Sequence, residues 1–99
     1  MAHSITVSIP LADTWPSAAE LALRHELETA FDQALGGDGF VEGGGSGMGV
    51  MDIFIAGVLE VERVVDRINV ILEERGLLGN AKLHVADDTD DVDDVEQAN

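Results

Sequence analysis

The sequence predicts an α+β domain of order β-α-β-β-α-β, a four-stranded antiparallel sheet with both helices on one face. Three observations predict it. Segments of apolar/polar alternation stand near the start, in the middle and at the end: "SITVSIPL", "VMDIFIA" and "AKLHVA". Two longer stretches with apolar residues at helical spacing separate them. Glycines close both of those stretches, Gly36 and Gly37 after the first and Gly76 after the second, where a left-handed residue usually ends a helix.

The first strand places Ile5, Val7 and Ile9 on one face and Ser4, Thr6 and Ser8 on the other, a strand with one covered face. Pro10 ends its use as a ladder donor. In "WPSAAELALRHELETAFDQALGG" Ser17 and Glu20 form a capping box, and Trp15 or Pro16 is expected to pack back on Leu21. Leu23, Leu27, Ala30, Phe31 and Ala34 make the buried stripe, and Glu20 with Arg24 forms an exposed i,i+4 pair. "GFVE", residues 39–42, is a short strand, followed by a glycine run expected to be a hairpin loop. In the next strand Met51, Ile53 and Ile55 share one face, and Val50, Asp52, Phe54 and Ala56 the other. The second helix, "LEVERVVDRINVILEERG", buries Val61, Val64, Val65, Ile68, Ile71 and Leu72; valine is a mediocre helix former, so this helix depends on packing. The last strand, residues 81–86, turns Ala81, Leu83 and Val85 inward and Lys82 and His84 outward.

This order, over residues 4–86, resembles the ferredoxin-like (split βαβ) superfamily. The resemblance implies central first and third strands and right-handed crossovers. Residues Gly47–Ile53, "GMGVMDI", are similar to a GxGxMDI stretch of small acidic bacterial proteins of unassigned role. That fold hosts enzymes, binders and sensors alike, so it implies no single activity.

Charge narrows the function classes. Residues 1–86 hold thirteen acids and all five bases, a formal −8, and residues 87–99 hold seven more acids. The expected organisation is one domain, 1–86, and a disordered acidic tail, 87–99. Such a domain repels nucleic acid and anionic membrane. A basic protein surface, a cation or plain solubility are the uses left. Cysteine is absent, which fits a reducing compartment. The opening "MAHSITVSIPL" lacks the basic segment and long apolar run of a signal peptide, and the expectation is a cytoplasmic protein.

The glycine run "GGGSGMG", residues 43–49, tests three chemistries. A Walker A loop needs a lysine after its last glycine, and none is near. A dinucleotide loop opens a helix, whereas here a strand follows. A nucleophile turn needs glycines two before and two after the serine; around Ser46, Gly44 fits and Met48 does not, and His3, His25 and His84 are dispersed. The run is read as a hairpin connection or a contact loop. The tail lacks the central glycine and distal glutamate of a calcium loop, and no metal or cofactor is expected.

The expectation for function is a non-enzymatic interaction module, an acidic inhibitor or immunity-type protein that binds a basic partner. The contact residues expected are Phe54, Asp52, Val50 and Thr6 on the uncovered sheet face, and Gly45, Ser46, Gly47 and Met48 in the glycine run. A homodimer is expected as well, through the same face or by pairing of the glycine-flanked edge strand with its mate. Two alternatives stand beside it: a small-ligand-sensing regulatory subunit, and an enzyme using Asp52 and Glu42 near the loop.

Residues 88–99 carry almost no apolar surface to bury. Their deletion is expected to change the free energy of urea unfolding by less than about 1 kcal/mol; a larger loss would contradict the separation into domain and tail.

Overall fold

A computed structural model describes residues 2–87. Its elements are β1 (His3–Pro10), α1 (Ala18–Leu35), β2 (Phe40–Gly47), β3 (Val50–Val58), α2 (Val61–Glu74) and β4 (Lys82–Asp87). The four strands form one antiparallel sheet of order β2-β3-β1-β4, so β1 and β3 are central and β2 and β4 are edges. Element order and strand order fit a split βαβ fold. Among the described residues no helix is long and apolar enough to cross a membrane. The expected tail beyond Asp87 lies outside the described residues.

The core follows from the alternation. Ile5, Val7 and Ile9 of β1 pair with Ile55, Ile53 and Met51 of β3, and all six are buried. Leu27, Phe31 and Leu35 of α1 and Val64, Ile68 and Leu72 of α2 join them in one hydrophobic cluster. Each such side chain contributes about 1.5–3 kcal/mol on full burial, against 0–1 kcal/mol for an exposed ion pair. The apolar seam therefore decides the stability. The other side of the sheet, the open face, carries Thr6, Ser8, Asp52 and Phe54, none of them buried.

Helix ends are set by local chemistry. Ser17 Oγ accepts from Glu20 N at 3.1 Å, and Glu20 Oε1 accepts from Ser17 N at 2.8 Å. Glu20 Oε2 also accepts from Ala12 N at 3.1 Å. These N–H donors, that of Ser17 first, hold the Glu20 carboxyl below its ordinary value. The sign is that of a depressed acid: the cap is complete above the ordinary glutamate pKa and is lost as pH falls through the lowered one. At the other end Gly36 takes the left-handed conformation, φ 53°. α1 has no basic residue in its last turn, and α2 supplies one. Arg67 Nη1 donates to Ala34 O at 2.9 Å, to Leu35 O at 3.2 Å and to Asp38 Oδ2 at 2.7 Å. A guanidinium from the neighbouring helix thus satisfies terminal carbonyls and complements the helix dipole.

Several expectations are corrected. The glycine run is not a loop: β2 extends from Phe40 through Gly47, well past the expected end at residue 42. Leu35 fills the buried stripe of α1, where Ala30 and Ala34 are only half-buried. Val85 aligns with Ile5 on the core side, yet it is 42% exposed because β4 is an edge strand. Glu20 is engaged by the cap, so Arg24 pairs with Glu28 instead. Trp15 lies against Gly47. β4 ends one residue later than expected, at Asp87.

Replacing Arg67 by methionine keeps the apolar stem and removes the donors. Urea unfolding should show a loss of about 1–2 kcal/mol, the low end for charged donors at a half-exposed site. A loss under about 0.5 kcal/mol would mean that water serves the α1 carbonyls equally well.

Candidate interaction surface

The open face can be read row by row from the strand register. Gly47 aligns with Val50 and Val50 with Pro10; Gly45 with Asp52, Asp52 with Ser8, and Ser8 with Lys82; Gly43 with Phe54, Phe54 with Thr6, and Thr6 with His84. Phe40 and Ala56 form the next row. Four of the expected contact residues, Phe54, Asp52, Val50 and Thr6, therefore share this face, and Gly45 and Gly47 border it. Phe54 is 39% exposed although it sits on a central strand. A central position with both neighbours in place would normally cover a phenylalanine better; here its β2 neighbour is Gly43, which has no side chain to offer. Beside it, Ser8 Oγ donates to Asp52 Oδ1 at 2.6 Å. His84 is separated from Asp52 by β1, as expected.

Ser46 belongs to the other side. Its Oγ accepts from Arg24 Nη1 at 2.7 Å, and Arg24 Nε lies 3.8 Å from Glu28 Oε2. Those two α1 side chains lie over Gly44. A Cβ there would stand 2.7 Å from Glu28 Oε2 and 2.8 Å from the Asp52 carbonyl oxygen, so the fold requires glycine at 44. Met48 is at the tip. Met48 (φ 55°) and Gly49 (φ 82°) both have positive φ, the primed two-residue turn that matches strand twist. A non-glycine residue in this region costs roughly 1–2 kcal/mol. The turn is tied down by Gly49 N donating to Thr14 O at 3.0 Å and by Leu11 N donating to Gly49 O at 2.8 Å. Met48 itself is 89% exposed.

Gly43 and Gly45 differ from Gly44. Neither has a positive φ, and a Cβ on either would meet nothing within 4 Å. Glycine inside a strand weakens it and often marks a bulge; Gly43 adjoins the register shift after Val41, and no packing contact requires glycine at either position. Their effect is a bare shelf of backbone along the edge beside Phe54. Phe40, 52% exposed at the end of the shelf, was missed by sequence reasoning; its alternation with Val41 in "FV" was the available signal. Also missed were Glu28 and Asp32, which line a groove between α1 and β2 together with Thr29, Gln33 and Val41.

Enclosed sites are poor. The cleft lined by Ser8, Pro10, Val50, Asn80 and Lys82 is about 140 Å³, below the roughly 300–1,000 Å³ of ligand pockets. A groove of about 430 Å³ beside His25 and Thr29 is wide open and lined mainly by polar side chains, with Arg75 reaching Glu26 at 3.5 Å. Among the described residues no group of three or more acids and histidines is placed to hold a metal. No family model, curated protein or solved structure matches this chain.

Two substitutions separate the glycines. Gly44→Ala should lower unfolding stability by about 1–3 kcal/mol, because the Asp52 carbonyl cannot move aside. Gly45→Ala should be neutral or stabilising by up to about 1 kcal/mol through the unfolded chain. Equal effects in thermal or urea unfolding would contradict the geometry.

Proposed function

We propose that this chain is a ferredoxin-like interaction module that binds a basic protein through the β2–β3 side of its open face. The observation that carries this is the pair of glycines at 43 and 45, which no packing contact requires and which leave Phe54 uncovered beside the Asp52 carboxylate. An apolar centre with a polar rim is the usual form of a protein contact. Phe40 and Val50 extend the centre, and Asp52 and Glu42 supply negative charge at its border. Arg24, Arg63, Arg67 and Arg75 are each engaged with an acid of this chain, and the acids in excess of the bases leave residues 1–86 a formal −8 at a partner's surface. Charge of this sign steers a basic partner and repels nucleic acid. The mode of action is occlusion of a basic surface, as an acidic inhibitor or immunity-type protein would act. The clefts described among residues 2–87 are open or small, which supports a protein contact over ligand sensing or catalysis at Asp52.

The test compares capture from native lysate by the wild type, by Phe54→Asp and by the double variant Gly43→Val, Gly45→Val. Both variants should keep the circular dichroism of the fold. The expected result is a basic protein retained by the wild type and lost by both. Capture that is unchanged in the variants, or an acidic partner, would overturn the assignment. So would a wild type that sediments as a dimer which Phe54→Asp dissociates, since the face would then be occupied by a second copy.

A further inference from the structure

Resting on the reading of the β2–β3 side as a contact for a basic protein, we infer that the partner docks by strand addition: an extended, lysine- or arginine-bearing segment pairs with the free edge of β2. The two-residue turn closes on a hydrogen-bonded pair, Gly47 with Val50. Alternation along the antiparallel ladder then directs the amides and carbonyls of Gly45 to β3 and those of Ser46 and Gly44 away from it. The register shifts between Val41 and Gly43, so Val41 aligns with Ile55, and beyond the shift its N–H turns outward and donates to Asp32 Oδ1 at 3.4 Å. Among the described residues Gly44 and Ser46 have no backbone partner on that outer side. Their donors and acceptors are a template for another strand.

The two edges of the sheet are not equivalent. β4 carries Lys82, the charge that most often protects an edge from pairing. β2 carries no basic residue, and acids outnumber bases around it: Glu42 within it, Asp32 and Glu28 on its α1 side, where Arg24 is held between Glu28 and Ser46, and Asp52 on its open-face side. An added strand places alternate side chains on these two sides. Lysine or arginine on the α1 side meets Asp32, and Glu28 beside its Arg24 partner. A small apolar side chain on the other side fits the shelf at Gly43 and Gly45 against Phe54. The missing side chains thereby gain a use, since a side chain on either glycine would rise from the open face between Phe54 and the side chains of the incoming strand.

The probe is a short capped peptide of alternating valine and lysine, titrated into the full-length chain and followed by backbone amide NMR. Expected are saturable shifts at the amides of Gly44 and Ser46, and a loss of affinity of about tenfold or more when the peptide is N-methylated at alternate residues. Glu replacing Lys in the peptide should abolish binding. Equal affinity of the N-methylated peptide would overturn strand addition while leaving a charge-driven contact with a basic protein standing. Shifts confined to the open face without Gly44 and Ser46 would do the same. Absence of binding by the valine–lysine peptide would overturn it outright, and lysate capture that still depends on Phe54 would show that the broader reading survives.

Discussion

The approach of Arg24 and Glu28 to Gly44 is the constraint on which the architecture of this surface depends. A strand with glycine at four of its last five positions, Gly43, Gly44, Gly45 and Gly47, has almost no side chains to pack and a large ordering entropy to overcome. What fixes it is external. β3 supplies the ladder, and Ser46 is held by Arg24 at 2.7 Å. Asp32 takes the Val41 amide, and the Thr14 and Leu11 backbone grips the turn at Gly49. The helix can reach the strand closely only because position 44 has no Cβ.

The rest of the molecule allows this arrangement. The central strands β1 and β3 carry the apolar seam with both helices, and the edge strand β2 adds only Val41 at its margin. An edge released from packing duty can be shaped for contact. The same division explains the charges. Arg67 spends its guanidinium on the end of α1, Arg24 on β2, and Arg63 and Arg75 on neighbouring acids. The positive side chains therefore hold elements together, while acids such as Glu42 are left along the edge.

Much of the fold was legible because its strands alternate. Ile5, Val7, Ile9, Met51, Ile53 and Ile55 announce a covered face by period alone, and Ser17 with Glu20 announces the first helix. β2 was not legible beyond residue 42, because glycine carries no periodicity and its strand character comes from β3 and α1. Arg24 was assigned to Glu20 by spacing, since nothing local reveals that Glu20 is consumed by the N–H groups of Ser17 and Ala12. On the candidate surface, the open-face residues followed from alternation once β3 was recognised. Ser46 was misplaced because a loop has no faces, whereas a strand puts Ser46 opposite Gly45 and against the helix.

The central claim is that the glycine run is a pinned strand with one free edge. Native-state amide hydrogen exchange tests it directly, because it reads each amide of the run separately. The account predicts protection at Gly43 and Gly45, whose amides face β3, and fast exchange at Gly44 and Ser46, whose amides face outward. Fast exchange at all four would contradict it by showing a mobile loop, and protection at Gly44 and Ser46 in the free chain would contradict it by showing that the edge is already covered.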